Sequence, residues 1–98
     1  MAAYLFQIEL PEMTDEIVNT IPEHRKFINK LFAEGRIFSY SVSMSRDNIW
    51  CVINAEDEKE AMEIVSGFPL RKFFTDVSCF QLLFHNTLPA TMPGISLN

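Results

Sequence analysis

The chain has 98 residues, a length that suits one small domain and leaves nothing for a second domain to bury. Its 8 Lys and Arg residues against 13 Asp and Glu give a net charge of −5, which disfavours nucleic acid and other polyphosphate partners because these require clustered cations. Hydrophobic residues make up 48% of the chain, yet no run approaches the roughly 20 apolar residues of a membrane span. We therefore expect a soluble globular protein that binds neither nucleic acid nor a membrane.

The amino-terminal residues and the two cysteines bear on where the protein resides. The first ten residues carry no basic segment and become polar at Gln7, unlike a secretory signal or a transit peptide. Cys51 and Cys79 lack CxxC spacing and lie in apolar runs, which favours two small buried residues over a disulfide or a nucleophile. With two histidines and no cysteine cluster, the sequence lacks the ligands that a structural zinc site needs. We therefore expect a cytoplasmic protein without a cofactor.

The hydrophobic pattern predicts a strand and then a helix in the first third of the chain. Residues 4–10 alternate between two sets of side chains, as a strand does. Apolar residues then follow three- and four-residue steps as far as Gly35, which ends the helix. The helix has two possible starts, a cap at Thr14 or a capping box just before Pro22. We favour a short turn or helix after Thr14 and then the main helix over 21–34.

The rest of the chain predicts a hairpin, a second helix and a last strand. Residues 36–45 alternate serine with large apolar residues, which is typical of a strand. A turn leads to a third strand over 49–55, which is apolar on both faces like a central strand. Asp57 caps a second helix that Gly67 closes, and the last strand covers 77–85.

The order β-α-β-β-α-β predicts an α+β fold of the ferredoxin-like type, a four-stranded antiparallel sheet with both helices on one face. We expect a single domain over residues 1–98, with its core over 3–85 and a C-terminal tail over 86–98. In the usual strand order, 4-1-3-2, the first strand separates Cys51 from Cys79 by roughly 10 Å, at about 4.8 Å per strand step. That distance exceeds the reach of a disulfide.

Two helices cover one side of such a sheet, so the other side, here called the open face, must contact something else. We assign Phe38, Tyr40 and Val42 to the helix side. In the last strand, the alternate set containing Phe80 is aromatic and aliphatic, so we assign that set to the helix side too. The polar side chains left for the open face are Gln7, Glu9, Ser39, Ser41, Ser43, Gln81 and His85.

A mixed apolar and polar open face has to be covered, because in water it would expose a sizeable apolar patch. A second copy of the sheet would cover it, and the uncharged tail either packs on that partner or is disordered. The two sheets would enclose a small-molecule pocket or form a plain dimer interface. Trp50 either contacts a ligand or fills the core or interface. The candidate substrate-binding residues are Gln7, Ser41, Ser43, Trp50, Gln81 and His85.

Several short segments resemble known families. The first-helix pattern of the YCII-like domains is similar to Pro22, Glu23, His24, Phe27, Leu31 and Glu34-Gly35-Arg36. Phe68-Pro69-Leu70 and the strand that follows are similar to muconolactone isomerase. The resemblance extends loosely over residues 4–85. Both families are dimeric α+β barrels, so the resemblance implies a homodimer.

The resemblance also implies acid/base chemistry. In YCII-like domains a histidine near the start of the first helix is paired with an aspartate that follows strand two, and His24 fills the first position. Residues 39–45 contain no acidic residue and Asp47 lies in the hairpin, so we expect Glu9 or a carboxylate of the partner to replace the aspartate. His24 and Glu9 are the candidate catalytic residues, because proton transfer requires a group that titrates near the working pH. A surface histidine and a solvated strand end are the alternatives.

The predicted function is therefore a small-molecule enzyme of the muconolactone isomerase type, which moves a proton across an allylic lactone. A non-catalytic small-molecule-binding or structural homodimer is the alternative.

Overall fold

The computed structural model describes residues 1–86 and has the ferredoxin-like α+β fold. Its elements are β1 (Ala2–Glu9), α1 (Asp15–Ala33), β2 (Ile37–Val42), β3 (Asn48–Ala55), α2 (Glu58–Ser66) and β4 (Asp76–Leu82), with a 3-10 turn at Arg71–Phe73. The strands form one antiparallel sheet in the order β2-β3-β1-β4, which confirms the predicted order. The predicted packing of the tail concerns residues outside the described range. Within residues 1–86, neither helix has the length and apolar character needed to cross a membrane.

Helix α1 runs without a break from Asp15 to Ala33, so the prediction of a separate turn before a main helix at residue 21 is wrong. The Thr14 hydroxyl caps it by accepting a hydrogen bond from the Ile17 backbone N–H at 3.2 Å. Pro22 lies inside the helix and cannot donate to the carbonyl of Val18. Both residues are exposed, so water can reach the side of the helix that lacks this hydrogen bond.

Gly35 ends α1 as predicted, because the backbone there turns into the left-handed region at φ +72°. Its N–H donates to the Phe32 carbonyl at 3.0 Å, and the Arg36 N–H donates to the Leu31 carbonyl at 2.8 Å. These two hydrogen bonds form a Schellman motif, which satisfies the last carbonyls of the helix. The motif directs the chain straight into β2.

The core lies between the sheet and the two helices. It contains side chains of the central strands β1 and β3 that are fully buried, such as Phe6, Ile8 and Ile53. Cys51 is also fully buried, and Cys79 is half-buried on the other side of β1; both are free thiols, as predicted.

The prediction of which side chains of β4 face the helices is wrong. Phe6, a helix-side residue, is paired with Cys79, and Leu5 is paired with Phe80. The set containing Cys79 therefore faces the helices and Phe80 lies on the open face. Gln81, which we expected on the open face, is in register with the core residue Tyr4. Because β4 is apolar on both faces, hydropathy alone favoured the larger side chains for the covered side.

The assignment of Phe38 to the helix side is also wrong. Ile37 is paired with Ile53 and Ser39 with Val52, so a β-bulge interrupts the pairing between them. The bulge keeps Ile37 buried while Phe38 is 42% exposed. Tyr40 stays on the helix side, opposite Cys51, as predicted.

Candidate functional site

His24 lies on the helix side of the sheet, where it is buried between α1, β2 and Phe68 in the segment that follows α2. Its Nε2 is 2.7 Å from the hydroxyl oxygen of Tyr40, and its ring packs edge-on against Phe68 with the ring centroids 5.5 Å apart. Only 3% of the residue is exposed. His24 therefore neither faces the open side of the sheet, where a pocket was predicted, nor lies on the surface. Since α1 begins at Asp15, residue 24 falls in the third turn of the helix and not in the first.

The environment of His24 favours the neutral imidazole. Burial lowers the pKa of His24 to about 4. Burial also raises the pKa of Tyr40 well above its ordinary value, so a neutral phenol and a neutral imidazole share the hydrogen bond. Nδ1 of His24 is buried and has no hydrogen-bond partner within residues 1–86. The His24 and Tyr40 pair thus links α1 to β2 without carrying a charge.

Glu9 is separated from His24 by the sheet. It is exposed at the end of β1, where it lies opposite Asn48 in β3 and Asp76 in β4. Successive side chains of a strand point to opposite faces of the sheet. Because the Ile8 side chain is in the core, the next side chain, Glu9, lies on the open face. The two predicted catalytic residues therefore lie on opposite sides of the sheet and do not form an acid/base pair.

The open face consists of successive rows of side chains across the sheet. One row is formed by Ser41, Trp50, Gln7 and Ser78, and brings together three of the predicted binding residues. The next row is more apolar and is formed by Ser39, Val52, Leu5 and Phe80. Trp50 is 37% and Phe80 is 52% exposed, so the open face carries two large apolar side chains that the chain itself does not cover.

Ser43 does not belong to either row, because it lies in the β2–β3 hairpin. Its hydroxyl accepts hydrogen bonds from the backbone N–H groups of Asp47 and Asn48 at 3.2 and 3.1 Å and donates to the Asp47 carboxylate at 2.9 Å. Hydrogen bonds that the Ser45 and Ser43 hydroxyls donate to the Asp47 carboxylate lower the pKa of Asp47. Ser43 and Asp47 therefore hold the hairpin and are not directed at a ligand.

A groove of about 680 Å³ lies at the end of the sheet where β1 begins and β4 ends. Of the predicted binding residues, Gln81 and His85 line it, although Gln81 does so from the edge of the sheet. The lining residues are Met1, Ala2, Ala3, Phe38, Asn54, Gln81, Leu82, Leu83, Phe84 and His85. His85 is the only histidine among them, and these described residues include no Asp, Glu, Lys or Arg.

His85 reaches the groove because the chain leaves the sheet after β4 and crosses the end of the open face towards β2. The His85 and Phe38 rings are nearly parallel, at 6°, with their centroids 6.4 Å apart. Nε2 of His85 is buried and has no hydrogen-bond partner within residues 1–86. The sequence predicted His85 as a binding residue, but it did not predict that Phe38 lies beside it on the open face. The available signal was Ile37, an apolar residue out of phase with the alternation that follows it.

Metal ions in proteins require sets of several ligand side chains. No three His, Cys, Asp or Glu side chains within residues 1–86 are grouped so that they could hold a metal ion.

Comparison with solved structures gives a match to 5-chloro-2-hydroxyhydroquinone dehydrochlorinase (TftG) from Burkholderia phenoliruptrix AC1100, in complex with 2,5-dihydroxybenzoquinone. The TM-score is 0.61 at 14% sequence identity, over 80% of this chain and 92% of that chain. No family model matches the chain, and no curated protein matches it either. At this identity the likeness concerns the fold alone. It agrees with the fold that the resemblance implied, without selecting YCII-like domains or muconolactone isomerase.

Proposed function

We propose that the protein is a small-molecule enzyme that transfers protons in the groove at the end of the open face. The observation that carries this proposal is the position of His85, the only histidine lining a groove whose other described walls are apolar or amide-bearing. A histidine ring can accept a proton at one nitrogen and release it again, and it is the side chain that ordinarily does so near neutral pH. An apolar groove with a few polar groups is the usual form of a small-molecule site.

The reaction that we assign is of the muconolactone isomerase type. A base removes a proton from one end of an allylic system and a proton is returned at the other end, so the double bond moves and no co-reactant is consumed. In this proposal His85 exchanges the proton with the substrate. His24 has a structural role, because it is buried on the other side of the sheet and is hydrogen-bonded to Tyr40. TftG, a dehydrochlorinase of the same fold in complex with a benzoquinone, supports small cyclic compounds as substrates.

The proposed assembly is a homodimer in which two open faces pack against each other. Trp50 and Phe80 are partly exposed apolar side chains on the open face, which neither helix of the same chain covers. A second copy would bury these side chains and would exclude water from the groove, which strengthens the polar contacts made inside it. We place this dimer in the cytoplasm, where free thiols such as Cys51 and Cys79 stay reduced.

A non-catalytic small-molecule-binding homodimer is the second candidate. It is favoured by the absence of any carboxylate among the described residues that line the groove, since catalytic imidazoles commonly have an acidic partner. The two candidates share the groove and the dimer, and they differ only in whether His85 exchanges a proton with the bound molecule.

Solvent deuterium exchange separates the two candidates. The full-length protein is incubated in D2O with muconolactone and with a panel of simple allylic lactones, and deuterium incorporation at carbon is followed by NMR. We expect exchange with the wild-type protein and loss of it in His85→Asn, which keeps a polar side chain but does not titrate. His24→Gln and Glu9→Gln should retain it. If a lactone binds to the protein without any deuterium incorporation, the binding dimer is correct and the enzyme is not.

A further inference from the structure

We propose that Phe38 is a positioning residue for His85: the β-bulge in β2 turns Phe38 onto the open face, where its ring fixes the plane of the imidazole in the groove. This inference rests on the proposed function, in which His85 exchanges a proton with the ligand. Phe38 itself acts only through His85.

A β-bulge in β2 determines which way Phe38 points. Strict alternation from Tyr40 would place Phe38 on the helix side, next to the core. The register shift between Ile37 and Ser39 gives the helix-side position to Ile37, which is 2% exposed, and turns Phe38 out of the core. Bulges occur next to functional sites because one extra residue redirects a side chain without ending the strand. Here the redirected side chain is an aromatic ring that lines the groove.

The contact between Phe38 and His85 joins the two opposite edges of the sheet. Strands β2 and β4 are the two edges, and three strand spacings of about 4.8 Å put them about 14 Å apart. The Phe38 and His85 rings meet because residues 83–86 cross the end of the open face after β4. Leu83 and Phe84 in this crossing segment are 98% and 71% exposed, so they contribute little packing that would hold the segment in place. The ring pair joins the segment to β2.

The Phe38 and His85 rings are stacked, and this geometry restricts the imidazole. The planes are within 6° of each other and the centroids are 6.4 Å apart, inside the 4.5 to 7 Å range of interacting aromatic pairs. A parallel neighbour on one face restricts rotation of the imidazole about its Cβ–Cγ bond. Catalytic histidines are ordinarily oriented by a hydrogen bond to the second ring nitrogen. Nε2 of His85 has no such partner within residues 1–86, so the stacking contact takes over this orienting role.

The test compares Phe38→Leu, which removes the ring, with Phe38→Tyr, which keeps it. Phe32→Leu, a change at an exposed aromatic residue of α1, is the matched control. The first measurement is the NMR chemical shift of the His85 ring protons, assigned by their loss in His85→Asn. We expect Phe38→Leu to move these resonances towards those of a free imidazole, because the ring current of Phe38 is lost. Phe38→Tyr and Phe32→Leu should leave them close to the wild-type positions.

The second measurement is the rate of deuterium exchange into the lactone. We expect Phe38→Leu to slow it about threefold to tenfold, in line with the strength of an aromatic pair, and Phe38→Tyr to restore it. Unchanged His85 resonances in Phe38→Leu would overturn the proposal, and so would shifted resonances with an unchanged exchange rate. If the wild-type protein does not catalyse exchange at all, the proposed function fails and the resonances alone decide whether Phe38 orients His85.

Discussion

The burial of His24 predicts that the protein loses stability in mild acid through this one residue. In the unfolded chain the imidazole takes up a proton near pH 6.5, whereas in the folded protein burial lowers the pKa of His24 to about 4. Between these values the unfolded state binds more protons than the folded state, so the free energy of unfolding falls as the pH falls. The difference between 6.5 and about 4, at about 1.4 kcal/mol for each tenfold change in the ionisation constant, amounts to about 3.5 kcal/mol in full. At pH 4 half of the folded imidazole is itself protonated, so about 3 kcal/mol of this is lost by that pH.

The variant that isolates this effect is His24→Gln, because glutamine does not titrate and keeps a group that can hydrogen-bond to Tyr40. Urea unfolding is followed between pH 7.5 and pH 4 by the fluorescence of Trp50, the only tryptophan, at one fixed protein concentration. We expect the wild-type free energy of unfolding to fall by about 3 kcal/mol more than that of the variant. Carboxylates such as Asp47 affect both proteins equally and cancel in the difference.

A constant difference between the two proteins across this pH range would refute the reasoning. It would mean that the imidazole titrates at the same pH in the folded and unfolded states, and hence that His24 is accessible to water in solution. An NMR titration of the His24 ring gives an independent check, with an expected midpoint near pH 4.

Three further changes test the assembly and the backbone. Phe80→Glu should dissociate the proposed homodimer because it places a charge in the apolar open face, whereas Met62→Glu on the outer surface of α2 should not. A dimer of Phe80→Glu in sedimentation velocity would place the interface elsewhere. Deletion of residues 87–98 should raise the dimer dissociation constant if the apolar tail packs on the partner, and unchanged association would remove the tail from the interface. Gly35→Ala should lower the free energy of unfolding by about 1 kcal/mol because of the φ of +72°, and an unchanged urea midpoint would contradict this.

The order of the elements was predictable because the hydrophobic period changes clearly along the chain. The alternation over β1, the stop at Gly35 and the cap at Asp57 each have a local physical cause, and each lies where it was expected. Asp57 accepts a hydrogen bond from the Glu60 N–H at 2.8 Å, as an N-cap does. Local rules were insufficient at Pro22, because a helix tolerates proline where the lost hydrogen bond faces water.

The candidate site was less predictable because it depends on which side of the sheet each residue occupies. A strand that is apolar on both faces, such as β4, does not encode its register in its hydropathy, and a change of one residue exchanges the two faces. The pairing of Phe80 with Leu5 is therefore a tertiary result. The same holds for Phe38, whose side is set by a bulge. His24 differs, because its spacing of seven residues from Ile17 and from Leu31 already places it on the buried side of α1. Local patterns identified His85 as a polar residue in an apolar run. They did not predict its contact with Phe38 in β2.

The thiol of Cys51 offers an internal reporter of how often the central strands separate. It is fully buried in β3, and burial raises the pKa of Cys51 to about 12, so the reactive thiolate is scarce in the folded state. Cys79 is half-buried on the far side of β1, and burial raises its pKa to about 11. Chemical labelling of Cys51 therefore requires the sheet to open, whereas labelling of Cys79 requires only fraying of the edge strand. The ratio of the two labelling rates measures the cooperativity of the sheet without any added probe.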